Sequence, residues 1–263
     1  THGVLPMQGV HPITITHDHL GVIGATLDDV WRIASHLSLK QGSPGYAPLE
    51  GAADSAPAAR KPAKLIRLYM DAWEKEVQRE TRDAFEAMIA QLQREGVEIV
   101  DRNTNAAVRD FERALDDGYV NGAVELTTYE MKWPYEQYME RFGHLLEKRV
   151  TDRMAHLKTM TPEYYESLLK SRLAMRARAH EVMTGCDGFI TLTAPGPAPV
   201  ARDHTGSRAY QIYATFMGIP AFSLPLLEAE RMPVGVQLIG AAGRDGALAA
   251  CANWLMKNLS PAR

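Results

Sequence analysis

The sequence predicts an α/β fold in which a mixed, largely parallel β-sheet is covered by helices on both faces. Short apolar runs alternate with stretches of helical periodicity, which is the pattern of strands connected through helices. A long helical stretch in the middle separates the two strand-bearing parts. The chain has 263 residues, of which 46% are hydrophobic. This length allows one large core or two domains with an extensive interface, and residues 1–263 are predicted to form a single domain.

The composition excludes several classes of partner. There are 29 basic and 32 acidic residues, and this balance favours neither a nucleic-acid phosphate backbone nor an anionic membrane surface. No segment approaches about 20 consecutive apolar residues, so no membrane span is expected. Cys186 and Cys251 are the only cysteines and are too few for a disulfide framework. A cytoplasmic location is therefore predicted.

Residues 1–40 are predicted to contain loops, short strands and one helix. Glycines and prolines interrupt the chain as far as residue 24. Thr26 is suited to cap a helix, and Asp28 and Asp29 favour the positive end of its dipole. Apolar residues then follow at helical spacing for about a dozen residues. The stretch 41–62 is rich in Gly, Pro, Ala and Ser and is predicted to be a linker loop.

A βαβ unit is predicted over residues 63–102. The segments 64–71 and 97–101 resemble strands, and a helix that ends at Gly96 lies between them. Two strands joined through a helix of this length imply a parallel pair with a right-handed crossover. The apolar face of the helix consists of Val77, Thr81, Phe85, Met88, Ile89 and Leu92.

Residues 103–185 are predicted to be mostly helical. Thr161 followed by Pro162 is a favourable helix start, because proline fits the first helical position. The many charged residues of this region alternate with apolar ones, which indicates solvated helix faces rather than a nucleic-acid surface. Breaks between helices are predicted at Gly118, Pro134, Gly143 and Pro162.

The last part of the chain, residues 186–263, returns to strands. Apolar runs predict strands at 189–193, 221–226 and 234–239, with helices at 207–217 and 245–259. Pro220 and Pro225 are expected to bracket the second of these strands, since proline cannot donate to a sheet ladder. Gly235, between two valines, predicts a close backbone approach in a buried strand.

One candidate metal site is the sequence His17-Asp18-His19. Alternate residues of a strand point to the same face, so both histidines would be able to bind one metal ion. Asp18 would point the other way, and no spaced third ligand follows. A metal-dependent hydrolase using His17 and His19 is therefore the weaker alternative. The favoured interpretation is polar residues in a strand-to-loop turn.

Several segments resemble, in order, the C-terminal portion of the amidase-signature family. Thr1-His2-Gly3 resembles its T-x-G, and residues 16–22 resemble S-L-D-H-x-G-P with Val22 in place of proline. Residues 96–100, G-V-E-I-V, resemble the G-x-E-V-V with which a helix of the family ends. Residues 190–199, 218–225 and 232–240 resemble L-L-T-P-T-A-P-x-P-A-P, G-x-P-A-x-S-L-P and L-P-V-G-V-Q-L-x-G, with Leu192 where the family has proline.

The resemblance implies an amidase that hydrolyses a linear carboxamide to a carboxylate and ammonia or an amine through an acyl-serine intermediate. It implies no cofactor and no metal. The family's Ser–cis-Ser–Lys triad lies in a Gly/Ser-rich segment that would precede Thr1. No catalytic residue is therefore expected in this chain, and the chain alone is expected to be inactive. The implied partners are a small-molecule amide and the N-terminal portion of the same protein, and a homodimer is left open.

The alternative is a non-catalytic structural or interaction module that retains the fold. If the chain is part of an amidase, the resemblance implies that it contributes part of the substrate pocket. Arg208 would meet a carboxylate or polar head group, although an ordinary exposed arginine is the favoured interpretation. A related protein that releases ammonia from glutamine has a carboxylate near this position, and its absence favours simple amides. The residues implied to bind substrate are Asp18, His19, Thr193, Arg208, Tyr210 and Gln211.

Overall fold

From residue 27 onward, helices and strands follow the order that the sequence predicts, whereas residues 1–24 form turns and loops without the short strands predicted there. The structure, a computed structural model, describes residues 1–41, 48–49, 54–200 and 205–259. The helices of this part are α1 (Leu27–Gln41), α2 (Ala72–Lys75), α3 (Arg79–Arg94), α4 (Ala106–Glu130), α5 (Lys132–Phe142), α6 (Lys148–Leu157), α7 (Pro162–Val182), α8 (Ile212–Met217) and α9 (Asp245–Asn258). The strands are β1 (Lys64–Arg67), β2 (Glu98–Val100), β3 (Phe189–Leu192), β4 (Ala221–Ala229) and β5 (Met232–Ile239).

The strands form one mixed sheet with the order β2-β1-β3-β5-β4. Strand β1 runs parallel to β2 and β3, whereas β5 runs antiparallel to β3 and β4. The mixed sheet is confirmed, but only the half around β1 is parallel. The other half is antiparallel because β4 and β5 are joined by a two-residue turn at Glu230 and Arg231, with φ values of 53° and 59°.

The predicted βαβ unit is present, and β1 and β2 pair in parallel from Lys64 opposite Glu98. All six predicted apolar-face residues of α3 and its N-terminal flank are buried. Strand β1 ends at Arg67, earlier than predicted. The chain then turns through Met70, whose φ is 58°. Side chains of α4 hold this turn: Glu112 accepts a hydrogen bond from the Tyr69 amide (2.7 Å), and Asp116 accepts one from the Asp71 amide (3.0 Å).

Both faces of the sheet are covered. All four residues of β3 are buried, although their side chains alternate between the two faces. On one face, Phe111 of α4 stacks on Phe189 with ring centroids 5.3 Å apart. Helices α3 and α9 both pack on β4. The fully buried β3 therefore lies at the centre of the core, as the α/β prediction requires.

Most predicted helix boundaries are confirmed. The Thr161 hydroxyl caps α7 by accepting a hydrogen bond from the Tyr164 amide (3.2 Å). Pro134 follows a cis peptide bond, and the non-helical Trp133 breaks the helix there. Helix α5 ends before Gly143. The predicted break at Gly118 is wrong, because α4 continues through this residue while packed along α7.

Two predictions near the end of the chain need correction. Strand β4 continues through Pro225, because a bulge between Leu224 and Leu227 places the proline where no ladder hydrogen bond is needed. Helix α8 begins only at Ile212, later than the predicted start. Helix α9 begins and ends close to its predicted bounds. No helix in the described ranges is long and apolar enough to cross a bilayer.

At the start of the chain, α1 forms as predicted. The Thr26 hydroxyl accepts a hydrogen bond from the Asp29 amide (3.1 Å) and donates one to its carboxylate (2.7 Å). Helix α1 buries Trp31, which is 2% exposed. Much of the predicted linker, at 42–47 and 50–53, lies outside the described residues. The end of the linker is bound to α9, since the Arg60 amide donates to the Ala250 carbonyl (3.0 Å).

Candidate functional site

A cavity of about 280 Å³ lies between the first 21 residues, α1, α8 and the β4–β5 hairpin. Its volume is close to the lower end of small-molecule sites. One wall is apolar and includes Val4, Trp31, Ala34, Ile219 and Phe222. The polar groups that line it include Asp18, His19, Gln211 and Gln237. An apolar wall with a few polar groups is the usual composition of a site for a small polar molecule with an apolar part.

Three of the six predicted site residues line this cavity. Asp18 and His19 come from the loop before α1, and Gln211 comes from the residue before α8. Thr193, Arg208 and Tyr210 do not line it. The tertiary structure therefore joins residues from opposite ends of the chain. Half of the predicted site residues line the cavity, and the other half lie outside its lining.

Asp18 organises the loop on which His19 lies. One carboxylate oxygen of Asp18 accepts hydrogen bonds from the amides of Ile13 (2.8 Å) and Thr14 (3.0 Å). The Thr14 hydroxyl in turn accepts one from the His17 amide (2.8 Å). These bonds close a compact turn instead of the strand that alternation suggested. The aspartate therefore positions the loop that presents His19 to the cavity.

His19 has a defined tautomer. Its Nδ1 lies 2.6 Å from the carbonyl oxygen of His17, and only an N–H can form this bond. Desolvation lowers the pKa of His19 to about 4, although the residue as a whole is exposed. Nearby positive groups, including Arg172, act in the same direction. The ring is therefore neutral at pH 7, and its Nε2 is a hydrogen-bond acceptor.

His17 is buried behind the cavity and does not line it. It is 6% exposed, and its ring centroid lies 5.5 Å from that of Phe216. Burial, together with the charge of Arg172, lowers the pKa of His17 to about 4. His17 lies in a turn and His19 in the irregular segment after it, so the same-face premise of the metal hypothesis, which needs a strand, is wrong. The described ranges contain no group of three His, Cys, Asp or Glu side chains placed to hold a metal ion.

Gln237 is a cavity residue that sequence reasoning missed. It is 6% exposed, and its side-chain amide donates a hydrogen bond to the Tyr210 carbonyl oxygen (2.8 Å). Tyr210 itself is fully buried, and its hydroxyl donates to the Tyr69 carbonyl (3.1 Å). These contacts fix the segment that leads into α8. The available signal was an amide within an otherwise apolar strand, M-P-V-G-V-Q-L-I.

Thr193 lies on the face of the sheet beside Ser223. Their hydroxyl oxygens are 2.9 Å apart. Gly235 makes room for this pair, since a Cβ there would lie 2.7 Å from the Thr193 hydroxyl and 2.8 Å from that of Ser223. The close approach predicted at Gly235 is confirmed, and the groups it admits are side-chain hydroxyls. Ser223 is thus hydrogen-bonded to a neutral hydroxyl.

Arg208 is exposed and lies close to a second arginine. Desolvation and the positive charge of Arg208 lower the pKa of Arg153 in α6. Like charges that interact in this way raise the local positive potential, which favours an anionic or strongly polar group near them. This electrostatic effect is the only one that the described residues reveal for Arg208, whose substrate role stays a prediction.

No described serine has the surroundings of an activated nucleophile. Ser38 and Ser167 donate to main-chain carbonyl oxygens, and Ser223 pairs with Thr193. In the described ranges, no serine hydroxyl is hydrogen-bonded to a lysine or histidine side chain. Activation of a serine requires such a base.

This arrangement of sheet and helices is the fold of solved amidases. A crystal structure of an amidase superposes with a TM-score of 0.79 at 21% identity, covering 99% of this chain and 57% of that chain. The crystal structure of a glutamyl-tRNA(Gln) amidotransferase subunit from Thermotoga maritima gives a TM-score of 0.65 at 18% identity, covering 98% and 58%.

The sequence matches the family described as Amidase over residues 1–249, and the chain belongs to this family. The corresponding glutamyl-tRNA(Gln) amidotransferase subunit of Methanothermobacter thermautotrophicus, a curated relative, is 23% identical over 266 residues. That alignment covers 94% of this chain and 55% of the relative. The chain thus spans little more than half the length of the proteins it matches.

Proposed function

We propose that this chain forms the substrate pocket of an amidase that hydrolyses a linear carboxamide, and that its serine nucleophile and lysine base come from polypeptide preceding Thr1. The observation that carries this proposal is the family match over residues 1–249, together with alignments that span 55% of one curated relative and 57% of a solved amidase. The cavity supports the proposal of a substrate pocket, because hydrogen-bonding groups line it. The proposal of a nucleophile elsewhere is supported because no described serine has a base beside it.

The groups around the cavity suit an amide. The neutral Nε2 of His19 is an acceptor for an amide N–H, and Gln211 at the rim offers both donor and acceptor atoms. Trp31 and Phe222 would contact the apolar part of the acyl group. Asp18 contributes by holding the loop. We propose that these five residues bind the substrate directly or position the groups that do.

Simple amides are the proposed substrates. The relatives include amidotransferase subunits named for glutamyl-tRNA(Gln), but the like charges of Arg208 and Arg153 interact near the segment before α8. A positive potential disfavours a substrate that carries an ammonium group and favours a neutral or carboxylate-bearing amide. Thr193 and Tyr210 are proposed to act indirectly, through Ser223 and through the chain segment that precedes α8.

The proposed reaction is ordinary acyl transfer. The serine oxygen attacks the amide carbon, and its proton passes by way of the base to the departing nitrogen, which leaves as ammonia or an amine. Water then attacks the acyl-serine ester and releases the carboxylate. Backbone N–H groups beside the nucleophile would stabilise the oxyanion in both steps.

The test is complementation. The 263-residue chain is expected to show no turnover with a panel of primary amides and anilides, and turnover is expected when it is co-expressed with the segment encoded immediately before Thr1. As a matched pair, His19→Ala should lower kcat/KM in the complemented enzyme, whereas the exposed His144→Ala should not. Efficient turnover by the chain alone, traced by labelling to one of its own serines, would contradict the proposal.

The alternative of a non-catalytic module has a different expected outcome. It predicts that the complemented protein folds yet cleaves none of the amides, even at high enzyme concentration. The missing serine–base pair in the described residues is consistent with this alternative as well as with the first. Restored turnover would therefore exclude the module, and its absence in a folded complex would favour it.

A further inference from the structure

A second cavity, of about 460 Å³, lies between the C-terminal end of α4, α5, α6 and the start of α7. This volume falls within the range of roughly 300–1,000 Å³ that is usual for small-molecule sites. Its lining residues share none with the first cavity. They also lie outside the segments that carry the family resemblance, so the role of this cavity has to be inferred from its own chemistry.

The floor of this cavity is apolar. Met154 and Leu157 are buried, at 5% and 7% exposure, and Met139, Met160 and Tyr129 are half-buried beside them. The Tyr129 ring of α4 is held in place by stacking on a tyrosine ring of α7, with centroids 4.3 Å apart. Methionine side chains are flexible and polarisable, so they adapt to aliphatic and aromatic groups alike. The floor is therefore suited to one apolar side chain.

The rim of the cavity carries three charged side chains: Lys132, Lys158 and Glu136. In the described ranges neither lysine forms an ion pair with a carboxylate, and Glu136 has no cationic partner. Some neighbouring charges of α6 are already paired, such as Lys148 with Asp152. The three rim groups thus present two positive charges and one negative charge above an apolar floor.

We propose that this cavity binds a hydrophobic α-amino acid. The ligand carboxylate would lie near Lys132 and Lys158, its ammonium group near Glu136, and its side chain on the methionine floor. A simple apolar carboxylate satisfies the lysines but meets repulsion from Glu136, whereas a zwitterion complements all three charges. The rim is exposed, so each ion pair is weak and the apolar floor supplies much of the affinity.

The experiment titrates L-phenylalanine into the 263-residue chain carrying methyl-labelled methionine. The methyl signals of Met139, Met154 and Met160 are expected to shift with one common binding curve, whereas that of Met256 in α9 should not move. Two matched probes lack one charge each. We expect 3-phenylpropionate, without the ammonium group, and phenylalaninamide, without the carboxylate, both to bind more weakly than L-phenylalanine.

Variants of the rim residues test which charge binds which group of the ligand. Lys158→Gln and Glu136→Gln should each weaken binding of L-phenylalanine by about two- to fivefold, the factor expected for an exposed ion pair. Glu136→Gln should not weaken binding of 3-phenylpropionate. Ala155→Trp should fill the cavity and abolish binding, whereas Ala107→Trp, at an exposed position of α4, should leave it intact. Equal affinity for L-phenylalanine and 3-phenylpropionate, unchanged affinity in both charge variants, or unmoved cavity methionines would each overturn the proposal.

Discussion

Several ionisable side chains of this protein lie where water does not reach them. Arg67 is 4% exposed and is held by Glu86 and by the rings of Tyr69 and Trp73, whose centroids lie 4.0 Å and 4.7 Å from its guanidinium carbon. His17 and Glu112 are buried as well. At the scale of the single residue, the energy of a charge in the interior depends on such local partners.

The first prediction concerns His17. Its pKa falls to about 4, so between pH 6.5 and pH 4 the unfolded chain binds a proton that the folded chain does not. The stability contributed by the neutral ring is complete above pH 6.5 and is lost as the pH falls. Relative to His17→Gln, the wild-type chain should lose about 3 kcal/mol of unfolding free energy by pH 4. Urea unfolding at several pH values would measure this, and parallel pH profiles would contradict it.

Glu112 is expected to act with the opposite sign. The pKa of Glu112 is raised to about 7, because the effect of burial outweighs the lowering effects of the Tyr69 amide and Arg102. Between pH 4.5 and 7 the folded chain keeps a proton that the unfolded chain has lost, so stability falls as the pH rises. Glu112→Gln should gain about 3 kcal/mol relative to wild type across this interval. The same urea series measures it, and a constant difference would show that Glu112 is ionised throughout.

At the scale of the element, sheet β3-β5-β4 depends on one position without a side chain. Gly235 of β5 faces the Thr193 and Ser223 hydroxyls, and both lie closer to its ideal Cβ than real Cβ contacts allow. A methyl group there must push the two strand neighbours apart. The sequence motif indicated the need for glycine, whereas the contact partners are decided by the fold: Ser223 lies in the adjacent strand β4, and Thr193 follows β3.

Gly235→Ala should therefore destabilise the chain by about 1–3 kcal/mol, the usual cost of overpacking. The loss should be smaller when Thr193→Ala and Ser223→Ala are both present, because their hydroxyls are then gone. Gly143→Ala is the matched control, since no atom lies within 4 Å of its ideal Cβ. Thermal unfolding of these variants measures this, and equal losses for Gly235→Ala in both backgrounds would refute the packing explanation.

At the scale of the whole molecule, several large apolar side chains near the start of the chain are exposed. Ile15 is 77% exposed and Ile23 is 99% exposed, and both flank the loop that carries His19. Strand β4 lies at an edge of the described sheet. Exposed apolar groups and free strand edges are usually covered by another part of a protein or by a second chain.

The isolated chain is therefore expected to bind a hydrophobic dye and to self-associate as its concentration rises. Ile15→Ser with Ile23→Ser should reduce both effects. Leu145→Ser, at a residue 72% exposed on a different surface, should change neither. Sedimentation velocity with dye fluorescence would test this. A monomer without dye binding would show that these surfaces need no cover, and it would also exclude the homodimer.

Much of the fold was predictable because its signals are local. The apolar face of α3, the Thr26 and Thr161 caps and the alternation of strands with helices follow from periodicity and backbone chemistry. The missed features have non-local causes. Residues Glu112 and Asp116 of α4 end β1 early, and the continuous α4 outweighs the low helix propensity of its central glycine.

The sequence by itself determined the α/β class, the family membership and the ring, amide and carboxyl groups available for binding. Only the tertiary structure decided that Asp18, His19 and Gln211 share a cavity with Gln237, and that Tyr210 is buried away from it. It also decided the tautomer of His19 and the pKa of Glu112. The physical reason is that periodicity is set by neighbours along the chain, whereas burial and electrostatic surroundings are set by neighbours in space.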